Sequence, residues 1–123
     1  VSAGAHVSPD DLRGEHLAQT VAFHQALGSP ALIIGMDKRA WDDEGVYEFA
    51  GELNAIAEKR AGTGLRVGYH NHAQEMREYK GATYWDVLAQ ETDEAVILQQ
   101  DVGWTTAAGR DPVAHVRKYP GRT

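Results

Sequence analysis

The chain has 123 residues, of which 42% are hydrophobic and 24% charged, with a formal net charge of −6 at pH 7 and no cysteine. One domain is the ceiling at that length. The composition argues against a disordered chain and excludes disulfide and thiolate chemistry; no stretch reaches the roughly 18 apolar residues of a membrane span. The negative balance, with no cluster of Lys and Arg, argues against nucleic acid as a partner, because binding a phosphate backbone runs on clustered cations.

The first apolar run is Val1 to His6. Ser8-Pro9-Asp10-Asp11 follows with a capping residue, a proline suited to a first helical position and acidic residues for the first turn. Leu12, Leu17, Val21, His24 and Leu27 then give an approximate helical stripe, which Gly28 and Pro30 end. The second run, Ala31 to Met36, is apolar without alternation, as in a strand buried on both faces. After a polar loop in which Asp42 or Asp43 can cap, Val46, Phe49, Ala50, Leu53, Ile56 and Ala57 recur at spacings of three and four, the clearest amphipathic helix in the chain.

The third run, Leu65 to Tyr69, leads into His70-Asn71-His72-Ala73-Gln74-Glu75, and a short helix carries Trp85, Leu88 and Ala89. The fourth, Ala95 to Asp101, ends in Val102-Gly103-Trp104, and Asp111-Pro112 repeats the cap-then-proline signal before a helix through Val113, Val116 and Lys118. Apolar runs alternating with helices about every 30 residues predict four consecutive parallel βα units. A doubly wound sheet has similar spacing, so periodicity alone does not choose between it and a barrel. The chain opens at Val1 and stops at Thr123, where the next apolar run is due, so residues 1–123 read as a single domain cut from within a larger fold.

His6, the segment from His70 to Glu75, and Asp101 all fall at or just past the C-terminal end of an expected strand, the edge where parallel α/β folds build their sites. His70 and His72 are two apart and share a side if the strand continues. Such a pair suits one divalent metal, with Glu75 and Asp101 as oxygen donors. Asp101 ends an apolar strand, where a carboxylate needs a cation, a metal or several hydrogen-bond donors. His16, His24 and His115 lie within helices and read as surface or packing residues. Trp104 is either a stacking platform for a sugar ring or a core residue, and Trp41 divides the same way.

Gly68-Tyr69-His70-Asn71-His72-Ala73-Gln74-Glu75-Met76 resembles the GYHNHxxEF strand of the sugar phosphate isomerase/epimerase family, the xylose-isomerase-like TIM barrels. Leu98-Gln99-Gln100-Asp101-Val102-Gly103-Trp104, with Ala108-Gly109-Arg110-Asp111-Pro112, resembles that family's next strand. Val116 to Arg122 is similar to the helix after it, and Ser2-Ala3-Gly4-Ala5-His6 to an earlier strand ending in His. The resemblance covers essentially the whole chain and implies a partial (β/α)8 TIM barrel, from about the third strand to the sixth helix. Asp101 falls at the family's metal-ligand Asp, and His70 stands where many relatives carry a ligand Glu, with Glu75 close by. The remaining His and Glu ligands belong to strands beyond this segment.

The resemblance implies a metal set of His70, Glu75 and Asp101 for Mn, Mg or Zn, catalytic His72 and Glu75, and substrate contacts from His6 and Trp104. The expected chemistry is proton transfer at carbon beside a carbonyl of a sugar or polyol. Isomerases, epimerases, inosose dehydratases and keto-glycoside lyases share that first step, and fold does not choose among them. A non-catalytic truncated barrel is the alternative outside enzymology; an endonuclease-IV-like phosphoesterase is disfavoured by the acidic balance. The isolated segment is expected to be inactive. Partners are expected to be a small-molecule substrate and further copies of the chain, with neither nucleic acid nor membrane. The expected compartment is the cytoplasm, with the periplasm as the alternative.

Overall fold

The structure is a computed structural model describing residues 4–123; the start of the first expected run, Val1 to Ala3, lies outside the described residues. In chain order the elements are β1 (Ala5–Val7), α1 (Gly14–Ala26), β2 (Ala31–Ile34), α2 (Gly45–Arg60), β3 (Arg66–His70), β4 (Glu78–Tyr79), β5 (Ala82–Thr83), α3 (Tyr84–Glu91), β6 (Ile97–Gln99), α4 (Val102–Ala107) and α5 (Pro112–Lys118). Strands β1, β2, β3 and β6 form one parallel sheet in that order, so each βα unit lays its strand beside the preceding one. This is the α/β architecture of four consecutive parallel units that the sequence predicts.

The core lies between the sheet and its helices. Leu32, Ile34, Val67, Tyr69 and Leu98 from the strands meet Val46, Phe49, Ala50, Leu53 and Ile56 of α2 and Trp85 and Leu88 of α3. Phe49 stands edge-on to Tyr69 at 5.1 Å between ring centroids, and Trp85 lies 6.3 Å away on the same face. A helix of 16 residues is marginal by itself, whereas each such side chain removed from water contributes about 1.5–3 kcal/mol, so burial of the stripe rather than helix propensity holds α2. Asp42 caps it, accepting from the Gly45 amide at 2.8 Å.

Four local features differ from the sequence expectation. Pro9 opens a single 3-10 turn, Asp10–Leu12, closed by bonds from the Ser8 amide and hydroxyl to Asp11 Oδ2, each 2.8 Å. The chain then extends at Arg13 and restarts as α1 at Gly14, whose φ of +50 favours glycine. The stripe of α1 is thinner than predicted: Val21 is buried, but Leu27 is 59% exposed. Between β3 and α3 the chain adds the antiparallel hairpin of β4 and β5, turned at Lys80 and Gly81 with φ of 51 and 79. Finally, Val102 to Ala107 is helical rather than an extension of the fourth run.

Candidate functional site at the strand edge

Successive strand residues face opposite sides of the sheet, so Tyr69, packed on the helices, leaves His70 on the open face. There the rings of His6, His70, His72 and Trp104 form a row, with neighbouring centroids 5.0, 5.1 and 5.8 Å apart. The site therefore draws on the ends of β1, β3 and β6. Gln99, on β6, ties two of the rings: its Oε1 lies 2.6 Å from His6 Nε2 and 2.9 Å from His70 Nδ1. Burial pushes the His70 imidazole below its ordinary value of 6.5; His6 and His72 act in the same direction, and Gln99 and Asp101 oppose it.

Asp101 caps α4, with Oδ1 accepting from the Trp104 amide at 2.8 Å. Its other oxygen, Oδ2, lies 3.5 Å from His70 Nε2. The loop beneath is pinned by Asn71, fully buried, whose Oδ1 accepts from the Asp101 amide at 2.6 Å and whose Nδ2 donates to Thr105 Oγ1 at 3.2 Å. Trp104 is 48% exposed beside His72, so its face is open to solvent. His72 Nδ1 is buried without a hydrogen-bond partner.

Glu75 stands apart from this group, against the expectation that its carboxylate faces the open side. It is 0% exposed; Oε1 accepts from the Tyr69 hydroxyl at 2.5 Å and Oε2 from the His72 amide at 2.8 Å. The strand ends at His70, and the 3-10 turn Gln74–Met76 swings Glu75 back toward the helix layer, so strand alternation no longer applies to it. Burial and the Glu75 charge raise the Tyr69 hydroxyl far above its ordinary range, which keeps it a donor.

Among the described residues no three His, Asp or Glu side chains gather around one point able to hold a metal ion. The expected trio of His70, Glu75 and Asp101 is thus brought together only as the pair His70 and Asp101. That pair fits a small divalent cation: bonds of about 2.0–2.2 Å at a tetrahedral angle set two donor atoms about 3.4 Å apart. One imidazole nitrogen and one carboxylate oxygen are also the donor types such ions take.

The helical histidines serve elsewhere. His16 is exposed on α1. His115 lies 3.8 Å from Asp86 Oδ1 and lines a separate cleft of about 450 Å³ with Glu78, Arg110 and Lys118. Asp86 in that cleft is already engaged by Thr83, Lys118 and Tyr119, so the cleft is an internally paired seam between α3 and α5. Gln99 and Asn71 organise the strand edge, yet neutral amides carry no charge signature in a sequence; the one available signal was their position beside His70 and Asp101.

No family sequence model and no curated protein sequence matches the chain. Among solved structures, it is similar to a sugar phosphate isomerase/epimerase from Parabacteroides distasonis ATCC 8503, with a TM-score of 0.84 at 20% identity, covering 98% of this chain and 51% of that one. A second sugar phosphate isomerase/epimerase from the same organism gives a TM-score of 0.75 at 24% identity, covering 95% and 53%. The chain spans about half the length of the solved structures it matches, and over that half it shares their fold.

Proposed function

We propose that this chain contributes the strand edge of a divalent-metal-dependent isomerase or epimerase that moves a proton at carbon beside a carbonyl of a sugar or polyol. The observation that carries the proposal is the facing of His70 Nε2 and Asp101 Oδ2 across 3.5 Å at the C-terminal edge of a parallel sheet. The fold shared with two sugar phosphate isomerase/epimerase structures supports it. His70 and Asp101 would hold the cation, Mn, Mg or Zn. When bound, the cation would polarise the carbonyl and acidify the neighbouring C–H. Further ligands would come from outside this segment.

His72 is the proton-moving group in this reading, since its ring stands between His70 and Trp104 in the row. Glu75 acts through it, fixing the His72 amide rather than touching substrate. His6 and the exposed face of Trp104 bracket the row and would contact the sugar's hydroxyls and its apolar C–H patch.

The test uses the protein that carries this chain, by calorimetric titration with Mn²⁺ and by NMR of solvent deuterium entering a ketose or aldose beside its carbonyl. Asp101→Asn keeps a capping oxygen for the Trp104 amide, and is expected to weaken Mn²⁺ binding at least 10-fold and abolish exchange. His16→Ala, exposed on α1, should leave both unchanged. Full metal-dependent exchange in Asp101→Asn would remove the proposal.

A further inference from the structure

One side chain of the strand edge, Gln99, is neutral and takes no part in the function proposed above, yet it touches two of the histidines that do. A carbonyl oxygen offers two lone pairs, and Gln99 Oε1 has an imidazole nitrogen on each, His6 Nε2 at 2.6 Å and His70 Nδ1 at 2.9 Å. Both nitrogens must therefore carry a proton. A neutral imidazole has a single N–H, so the opposite nitrogen of each ring is bare.

For His70 the bare nitrogen is Nε2, which faces Asp101 Oδ2 at 3.5 Å, while Asp101 Oδ1 is occupied by the Trp104 amide. Two acceptor atoms at that separation repel unless positive charge lies between them. For His6 the bare nitrogen is Nδ1. It lies beside Gly35, where a Cβ would come within 3.5 Å of it; the missing side chain leaves that nitrogen uncovered.

We propose that Gln99 is a positioning residue that sets the tautomers of two histidines at once, directing the His70 Nε2 lone pair toward Asp101 as a cation ligand and leaving His6 Nδ1 as an acceptor for a substrate hydroxyl. This rests on the metal-dependent function above. A single amide thereby converts two chemically identical side chains into a ligand and a substrate contact, in the way outer-shell partners fix the orientation of metal-bound histidines.

The test reads ring protonation in the ¹⁵N-labelled, metal-free protein by long-range ¹H–¹⁵N correlation at about pH 8, above the ordinary imidazole range. Expected are His70 with Nδ1–H and bare Nε2, and His6 with Nε2–H and bare Nδ1. Gln99→Leu should turn both rings to mixed tautomers and weaken Zn²⁺ binding by about 10- to 100-fold; Gln99→Glu, which also offers two lone pairs, should restore both. A proton on His70 Nε2 in the unaltered protein would overturn the proposal, as would tautomers and affinity unmoved in Gln99→Leu. Tautomers as stated with no Zn²⁺ binding would instead sink the metal-dependent function and leave the Gln99 assignment standing. Zn²⁺ bound through Asp101 with other tautomers would do the reverse.

Discussion

His6 and Gln99 belong to the outermost strands of the four-stranded sheet, β1 and β6, yet His6 Nε2 and Gln99 Oε1 are 2.6 Å apart. On a flat sheet three strand spacings would separate their backbones by about 14 Å, more than the two side chains can bridge. The sheet is therefore curled toward its open face, and that curl brings together side chains from strands that are not neighbours.

At Gly68 strands β3 and β6 approach each other closely. A Cβ there would lie 2.4 Å from the Ile97 carbonyl oxygen and 2.6 Å from Ile97 Cβ, on the neighbouring strand. Backbone cannot yield as a flexible side chain can, so Gly68→Ala must push β3 from β6. The expected loss is on the order of 3 kcal/mol in urea unfolding, and the cation proposed for His70 and Asp101 would bind more weakly as the two separate. A loss below about 1 kcal/mol would show that the close approach is not needed.

Glu75 and Tyr69 form a buried pair behind the site. Tyr69→Phe leaves Glu75 Oε1 without that donor at 0% exposure, and is expected to cost about 1–3 kcal/mol in denaturant. Glu75→Leu with Tyr69→Phe removes both polar partners together and should destabilise by less than the sum of the single changes. Additive losses would mean the two side chains act independently.

Glu52 receives Arg13 at 2.6 Å and Arg39 at 2.7 Å, joining the start of α1 and the loop after β2 to α2. The Arg13 hydrogen bond, with Arg39, outweighs burial and holds the Glu52 carboxyl below its ordinary value of 4.5. A carboxyl lowered by folding contributes stability above its unfolded value, and that contribution is lost as the pH falls through the folded value. Glu52→Gln should therefore melt lower than the unaltered protein at neutral pH, and the difference should shrink below about pH 4.5. Asp86 and Asp11 are also lowered, so the difference between the two melting curves, not either curve alone, isolates Glu52. A gap independent of pH would refute the linkage.

Asp86 fastens α5 to α3. Its Oδ2 closes the capping box with Thr83, and Oδ1 accepts from Lys118 Nζ at 2.9 Å and the Tyr119 hydroxyl at 2.7 Å. Asp86→Ala leaves the Thr83 cap on the residue-86 amide but removes the reciprocal half of the capping box and both ties, an expected loss of about 2–3 kcal/mol with faster amide exchange throughout α5. Unchanged exchange in α5 would show that the helix is held by other contacts.

The strands and α2 could be read in advance because burial on both faces leaves an unbroken apolar run, and burial on one helical face leaves a stripe. The hairpin of β4 and β5 could not: its strands are two residues each, and a Lys80-Gly81 turn lacks the Asn or Asp that usually marks paired positive φ values. At the site, His6, His70, His72, Asp101 and Trp104 were legible as a group because charge and aromaticity at strand ends stand out against apolar runs. The direction of Glu75 was not, since it depends on where β3 stops and the 3-10 turn begins. Nor was Gln99, whose contact with His6 comes from curvature that no local pattern encodes.

Of the three tryptophans, Trp85 is 1% exposed in the helix layer, Trp104 is 48% exposed at the strand edge, and Trp41 is half-buried, so one chain carries emitters of different colour. Trp85 should fluoresce in the blue and resist acrylamide, while Trp104 should emit toward the red and be quenched readily. With Trp41 replaced by Phe, a sugar stacking on Trp104 as proposed would shift only the red component, an optical signal for occupancy of the strand edge separable by quenching from any change in the core.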